Sequence, residues 1–107
     1  MNRYIVLLPL YFNDGKPVPR KLLSGVLEEL YLLADGYTIE GKVKGAYRMA
    51  SGKKQNDELL KVWVLIPNGK EAELKGLVRR LCKTLDQESM WLERVTSFVE
   101  FIKSEDN

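Results

Sequence analysis

The chain has 107 residues, of which 45% are hydrophobic and 30% charged, and its formal net charge is +2. These proportions are typical of one soluble globular domain, and so small a basic excess permits a polyanion partner without indicating one. The sequence has no histidine, which excludes His-based triads and most zinc sites, and its single cysteine, Cys82, excludes an internal disulfide. We expect no cofactor and no metal site.

The first half of the chain predicts a strand, a helix and a second strand. Residues 4–10 are apolar on both parities, which indicates a central strand. After a loop with two prolines, apolar residues recur at helical spacing from Leu22 to Leu33, and Gly36 is suited to a left-handed cap at the end of this helix. Residues 37–49 alternate between apolar and polar side chains, so we expect a half-buried strand with one wet face.

The second half predicts a strand, a helix and a last strand. A polar hairpin loop over residues 50–58 leads into a strand over 59–66 that is apolar on both faces. Asn68 and Glu71 have the spacing of a capping box at the start of a leucine-rich helix. Residues 90–102 then predict the fourth strand, which we expect to be charged and to lie at an edge of the sheet.

These elements predict a single domain over residues 1–107, with a core over 3–102 and a frayed tail over 103–107. The fold class is α+β, because both amphipathic helices need a sheet face to cover their apolar stripes. The β-α-β-β-α-β order favours a ferredoxin-like sandwich, with an antiparallel sheet of order 4-1-3-2 and both helices on one face. The two strands that are apolar on both sides would then be the central ones.

This architecture leaves the second face of the sheet uncovered. Ile5, Leu7, Trp63 and Leu65 are expected on that face, and an open apolar area of this kind is unusual for a monomer. Self-association is the simplest way to cover it, since one self-complementary patch closes a homodimer by two-fold symmetry, and Trp91 would join the interface. Cover by the C-terminal segment, or by a ligand or another partner, is the alternative.

Three short motifs have a recognisable layout along the chain. They are Asp35-Gly36-x-Thr38, Gly45-x-Tyr47-Arg48 and Gln87-Glu88-Ser89-Met90. The layout resembles that of a small bacterial family classed only as a domain of unknown function, with the pattern DG-x-T, G-x-W/Y-R and Q-E-S-V. The resemblance covers roughly residues 30–95 and implies a ferredoxin-like fold, and it implies no particular activity.

The polar face of the second strand, with its neighbours across the hairpin, is the candidate binding surface. The candidate residues for a ligand or partner are Glu40, Lys42, Lys44, Tyr47, Arg48, Lys61 and Trp63. Tyr47 and Arg48 could form an anion site, because a guanidinium offers a bidentate fork. Basic residues beside an aromatic are also how single-stranded nucleic acid is held, and Lys53 and Lys54 would extend that surface. No residue spacing indicates a catalytic group.

The leading hypothesis is therefore a non-enzymatic interaction module that self-associates through the uncovered sheet face. A small-ligand-binding or catalytic domain with its site at the dimer cleft is one alternative. Weak single-stranded nucleic-acid binding through the hairpin of strands two and three is another and is not favoured. No stretch approaches the ~20 apolar residues of a membrane span, so we expect no membrane partner and a cytoplasmic location.

Overall fold

The computed structural model describes residues 1–105, which fold into six elements. The strands are β1 (Asn2–Pro9), β2 (Thr38–Arg48), β3 (Lys54–Ile66) and β4 (Leu92–Val95), and the helices are α1 (Arg20–Ala34) and α2 (Glu71–Thr84). The β-α-β-β-α-β order confirms the predicted α+β class. The end of the predicted frayed tail, residues 106–107, lies outside the described residues. No helix in the described part of the chain is long and apolar enough to cross a membrane.

The four strands form one antiparallel sheet of order β2-β3-β1-β4, which is β4-β1-β3-β2 when read from the other edge. The whole of β1 pairs with β3, from Asn2 opposite Ile66 to Pro9 opposite Leu59. Residues directly opposite each other in an antiparallel pair share a face of the sheet. Alternate residues of β1 and β3 therefore point toward the helices, and the others point to the opposite side, which we call the outer face.

The core lies between the sheet and both helices. The strand residues of this core are Tyr4, Val6, Leu8, Val62, Val64 and Ile66. The helix residues buried against them are Val26, Leu30, Leu74, Leu77, Val78 and Leu81. Each helix contributes residues three or four positions apart, as expected for an amphipathic helix that covers a sheet with one stripe. Both helices cover the same face of the sheet, so the outer face carries no helix.

Both predicted helix caps are wrong in detail. At the end of α1 it is Asp35, not Gly36, that adopts the left-handed conformation, with φ 61°, and its N–H donates to the Tyr31 carbonyl at 2.8 Å. Aspartate is one of the few non-glycine residues that tolerate this region. Before α2, Gly69 has φ 94° in a turn, and its N–H donates to the Glu71 carboxylate at 3.0 Å. Glu71 thus caps the turn, and no side chain caps the helix itself.

A β-bulge divides β2 into two parts with opposite alternation. Ile39 pairs with Val62 and Gly41 with Lys61, so Glu40 has no partner directly opposite. Gly41 has φ 132°, which L side chains rarely adopt, so glycine is the residue suited to this bulge. The extra residue means that the predicted single polar face over residues 37–49 is wrong. Glu40 lies on the outer face, and after the bulge the odd-numbered residues lie there.

The strand lengths also differ from the predicted ones. β3 begins at Lys54, so the predicted loop over 50–58 shrinks to a turn in which the Met49 N–H donates to the Lys53 carbonyl at 2.8 Å. β4 ends at Val95 instead of continuing to residue 102. Val95 pairs with Arg3, and β1 begins only one residue before Arg3, so β4 has almost no further strand to follow. We call residues 96–105 the C-terminal segment.

Candidate functional site

A cluster of ionic and aromatic side chains occupies the middle of the outer face. Arg3 Nη2 lies 2.9 Å from Glu40 Oε1, and Lys61 Nζ lies 3.2 Å from Glu40 Oε2. The Arg3 guanidinium also stacks over the Trp63 ring, 4.7 Å from its centroid. These contacts connect β1, β2 and β3 above the sheet. Glu40 follows Thr38 on the outer face by regular alternation, and the bulge after it turns Lys42 and Lys44 away from the cluster.

The predicted self-association residues lie on the outer face, but this face is less bare than expected. Ile5 is only 7% exposed, because Trp63 and Glu93 flank it on the two neighbouring strands. Leu7, Trp63 and Leu65 are half-buried. Trp91 precedes β4 and is exposed, with its Nε1–H donating to Glu93 Oε1 at 3.2 Å. The apolar surface available to a partner is therefore divided by charged side chains.

A concavity of about 300 Å³ lies at the end of the outer face nearest the β2–β3 turn. We call it the hairpin concavity. Its polar and aromatic lining comprises Asn13, Tyr47, Arg48, Gln55, Asp57, Gln87, Glu88, Ser89 and Trp91. Its apolar lining comprises Leu7, Pro9, Met49, Leu59 and Met90. The volume is at the lower end of the range for small-molecule sites, and a mostly apolar base with a few polar groups is their usual chemistry.

The hairpin supplies the first wall of this concavity. Tyr47 is opposite Gln55, and Gly45 is opposite Asp57, so all four residues lie on the outer face. The Tyr47 ring folds back over Gly45, and a Cβ at Gly45 would collide with it. Gln55 Nε2 donates to Asp57 Oδ1 at 3.3 Å. Glycine at position 45 therefore makes room for the tyrosine ring beside the Asp57 carboxylate.

The segment between α2 and β4 supplies the second wall. The Ala50 N–H in the hairpin turn donates to Glu88 Oε2 at 3.1 Å. The Leu7 N–H donates to the Trp91 carbonyl at 3.4 Å, and Asn13 Nδ2 donates to the Asp86 carbonyl at 2.9 Å. These hydrogen bonds attach the segment to the hairpin, to β1 and to the loop after β1. Three distant parts of the chain are thereby fixed around one hollow.

The chemistry of the concavity favours an aromatic ligand that bears hydroxyl or cationic groups. Tyr47 and Trp91 offer ring faces, while Asp57 and Glu88 offer carboxylate oxygens against the single guanidinium of Arg48. Negative charge thus exceeds positive charge among the lining side chains. Within residues 1–105 no three His, Cys, Asp or Glu side chains come together as a metal site would require.

The structure distributes the predicted binding residues over three places. Tyr47 and Arg48 line the hairpin concavity, and the cluster of Arg3 contains Glu40, Lys61 and Trp63. Lys42 and Lys44 follow the bulge at even positions, on the face of β2 opposite to the outer face. The expected common surface of these residues is therefore wrong. Lys42 and Lys44 lie on the opposite side of the sheet from Trp63, and the basic residues beside Trp63, Arg3 and Lys61, are paired with Glu40.

The sequence does not predict the contribution of Gln55 and Asp57 to the concavity, because both lie in the polar run over residues 50–58 that predicts a loop. A usable signal was present in the motifs. Gly45-x-Tyr47-Arg48 and Gln87-Glu88-Ser89-Met90 are far apart in the chain, yet residues of both line the same hollow.

A second hollow of about 390 Å³ lies at the opposite end of the outer face. Its aromatic lining comprises Tyr37, Trp63 and Phe101, the last from the C-terminal segment. Leu65 and Met1 add to the apolar wall. This hollow has fewer polar groups than the hairpin concavity, and it places part of the C-terminal segment beside the N-terminal end of β1.

No protein-family model and no curated protein matches the chain, so the resemblance to a bacterial family stays a prediction. Among solved structures, a phage SAM lyase in complex with S-methyl-5'-thioadenosine is similar with a TM-score of 0.69 and 13% identity, over 88% of this chain and 79% of that chain. CutA from Pyrococcus horikoshii gives 0.57 and 16% identity, over 96% and 88% of the two chains. The phage SAM lyase in its apo state gives 0.55 and 11%, over 95% and 92%. At these identities the likeness shows the fold, which is of the ferredoxin-like type.

Proposed function

We propose that this protein is a self-associating domain that binds an adenosyl sulfur compound, S-adenosylmethionine or S-methyl-5'-thioadenosine, in the hairpin concavity. The observation that carries the proposal is the convergence of Tyr47, Asp57, Glu88 and Trp91 around one apolar base. The likeness in fold to a SAM lyase that was solved with S-methyl-5'-thioadenosine supports this choice of ligand class.

Each part of such a ligand has a matching group in the concavity. An adenine ring stacks on aromatic side chains such as Tyr47 or Trp91. Ribose hydroxyls donate to carboxylates such as Asp57 and Glu88. The methylthio group is apolar and suits the base near Leu59, which is 6% exposed. Because negative side chains outnumber positive ones, the cationic sulfonium of S-adenosylmethionine is favoured over the neutral thioether.

Calorimetric titration of the wild-type chain with both compounds tests this proposal. We expect Tyr47→Ala to weaken binding by about 10- to 100-fold, the range for loss of one stacking side chain. Tyr31→Ala is the matched control, because Tyr31 is an exposed tyrosine on α1 and lines neither hollow. If neither compound binds, the ligand class is wrong. If binding survives Tyr47→Ala unchanged, the location is wrong.

The same samples decide whether the domain also acts on its ligand. Chromatography of S-adenosylmethionine incubated with the protein would detect released S-methyl-5'-thioadenosine. Release that is lost with Asp57→Asn and Glu88→Gln, while both variants still bind, would extend the proposal from binding to catalysis. Binding without release would keep the domain among non-enzymatic ligand-binding modules, as the sequence favours.

The self-association part of the proposal rests on apolar surface left uncovered within the chain. Leu7, Trp63 and Leu65 remain half-buried on the outer face, and Phe98 is 98% exposed in the C-terminal segment. Monomers rarely leave such groups in water, and a second copy is the partner that is always present. A homodimer is the simplest assembly of this kind.

The mass in solution tests this part independently of any ligand. Light scattering at high micromolar concentration should give a multiple of the 12.3 kDa chain mass. We expect Trp63→Lys to shift the distribution toward the monomer, and Tyr31→Lys, on the helix side, to leave it unchanged. A wild-type protein that is monomeric at all concentrations would refute self-association.

A further inference from the structure

The C-terminal segment has the sequence of a strand but no strand to pair with. Its residues 96–102 read Thr-Ser-Phe-Val-Glu-Phe-Ile, and β-branched and aromatic residues of this kind are enriched in strands. Within the described residues, none of its backbone groups hydrogen-bonds to another part of the chain. Phe98, Phe101 and Ile102 are 98%, 75% and 83% exposed. In a single copy, these three apolar side chains therefore stay mostly in contact with water.

The opposite edge of the sheet has the complementary property. β2 pairs only with β3 in the described part of the chain, so the outer edge of its eleven residues presents unpaired N–H and C=O groups. Ile39 and Tyr37 at the start of this edge are also exposed. Such an edge accepts a strand from another molecule by extension of the ladder.

The charged side chains of β2 restrict which strands can pair with this edge. Lys42, Lys44 and Arg48 project from β2, and no carboxylate lies within 4.0 Å of their charged groups among residues 1–105. In the strand-like part of the C-terminal segment, residues 96–102, the charged residue is Glu100, and Lys103 and Glu105 follow it. Lysines on an edge strand discourage unspecific pairing. Opposite charges across two paired strands are favourable, so the same lysines favour a strand that places Glu100 opposite them.

We propose that the C-terminal segment of one copy pairs with the β2 edge of a second copy. Within one copy the segment reaches only the start of β2, where Phe101 lines the second hollow with Tyr37 and Thr38, because β1 and β3 lie between the β4 edge and the β2 edge. The contact therefore joins two different surfaces, the β4 side of one molecule and the β2 side of the next. Repetition of such a head-to-tail contact closes a ring when the rotation permits.

This inference rests on the proposed self-association and adds a contact at the sheet edges to the one at the outer face. It also explains why strand character continues in the sequence to residue 102 while β4 ends at Val95. The missing part of the predicted fourth strand is completed in the assembly. The basic residues of β2 then recognise an acidic strand of a second copy instead of a nucleic acid.

Proline substitutions in the full-length chain test the pairing directly. Proline lacks the N–H that a ladder needs, and successive amides of a strand point to opposite sides. We expect one of Val99→Pro and Glu100→Pro to convert the assembly to monomer, and the other to have a much weaker effect. Val99→Thr and Glu100→Asp keep the N–H, and the second also keeps the carboxylate, so they are the matched controls. Because this segment makes no backbone hydrogen bond in the monomer, the thermal stability of the monomeric variant should report an intact fold.

Amide hydrogen exchange separates the failure of this inference from the failure of self-association. In the wild-type assembly, exchange over residues 96–102 should be slower by about tenfold or more than in the monomeric variant, because paired amides exchange only on opening. A wild-type monomer at every concentration would refute both proposals. An assembly in which residues 96–102 exchange as fast as in the monomer would refute strand pairing alone, and equal effects of the two prolines would do the same.

Discussion

The two faces of the sheet differ in burial and in charge. On the helix side, Val6, Leu8, Val62 and Ile66 are completely buried, and no charged residue is buried among the described residues. On the outer side, Ile5 is buried but lies next to an ionic cluster that contains Arg3 and Glu40. The first face is uniform and closed by the chain itself. The second is heterogeneous and has a hollow at each end.

Under the proposed function, stability and binding depend on different faces of the sheet. Closure of the helix face removes apolar surface from water and supplies most of the folding free energy. The outer face gives up part of that burial, since Trp63 and Leu65 remain half-buried and the hairpin concavity is open. Substitutions on the helix face should therefore change unfolding, and substitutions on the outer face should change binding or assembly.

The largest effect is expected for removal of a core side chain. Leu8→Ala should lower the free energy of unfolding by about 2–5 kcal/mol, because it removes a completely buried side chain and leaves a cavity. Leu32→Ala is the control, since Leu32 is exposed on α1 and should change stability by about 0.5 kcal/mol or less. Urea unfolding measures both. Similar losses for the two leucines would contradict the assignment of the helix face as the core.

The next effect concerns the bulge that reverses the alternation of β2 after Glu40. Gly41→Ala should lower the free energy of unfolding by about 1–3 kcal/mol, because alanine is strained at φ 132°. Gly76→Ala is the matched control, since a Cβ at this helical position meets nothing within 4 Å, and it should stabilise the protein by about 0.5–1 kcal/mol. In the same denaturation experiment, the two substitutions should change the free energy of unfolding in opposite directions. A stabilising Gly41→Ala would show that this position tolerates a side chain without strain.

A smaller effect is expected for the ionic cluster itself. Glu40→Gln removes two ion pairs whose side chains are 30–34% exposed, so it should cost about 0.5–1 kcal/mol at low salt. The loss should shrink in 0.5–1 M salt, because screening weakens partly exposed pairs. Glu29→Gln breaks the more exposed pair with Arg80 and should cost less. A salt-independent loss at Glu40 would indicate packing instead of charge.

The smallest effect on stability, but a large one on binding, is expected at Gly45. Gly45→Ala should leave unfolding within about 0.5 kcal/mol, because a strand surface accepts alanine, yet it must displace the Tyr47 ring. Binding to the hairpin concavity should then weaken as in Tyr47→Ala. Gly25→Ala on α1, where a Cβ meets nothing within 4 Å, is the control. Unchanged affinity in Gly45→Ala would show that the position of the Tyr47 ring does not affect ligand binding.

The helix face could be predicted from the sequence, because it follows from periodicity. The two helix stripes and the two strands that are apolar on both sides each have a regular spacing, and their burial follows from it. The outer face could not be predicted in the same way. A single inserted residue at Glu40 reverses the alternation of β2, and only the register with β3 reveals it.

The candidate site could not be predicted from the sequence, for a related reason. The run from Gln55 to Glu58 is polar and has low strand propensity, yet long-range pairing with β2 makes it a strand. Its side chains reach the concavity only because of that pairing. The contribution of Glu88 depends on a hydrogen bond to the Ala50 N–H, a contact between residues that are distant in sequence. Local patterns carry no information on such contacts.

The position of Tyr47 over Gly45 has a spectroscopic consequence. An aromatic ring current shifts the resonance of any proton held against the ring, so one α-proton of Gly45 should resonate away from its usual position. The shift requires no label and no substitution. It would disappear whenever Tyr47 rotates away, for instance to stack on an incoming ligand. The glycine that makes room for the ring thus also provides an NMR signal that reports when the ring moves.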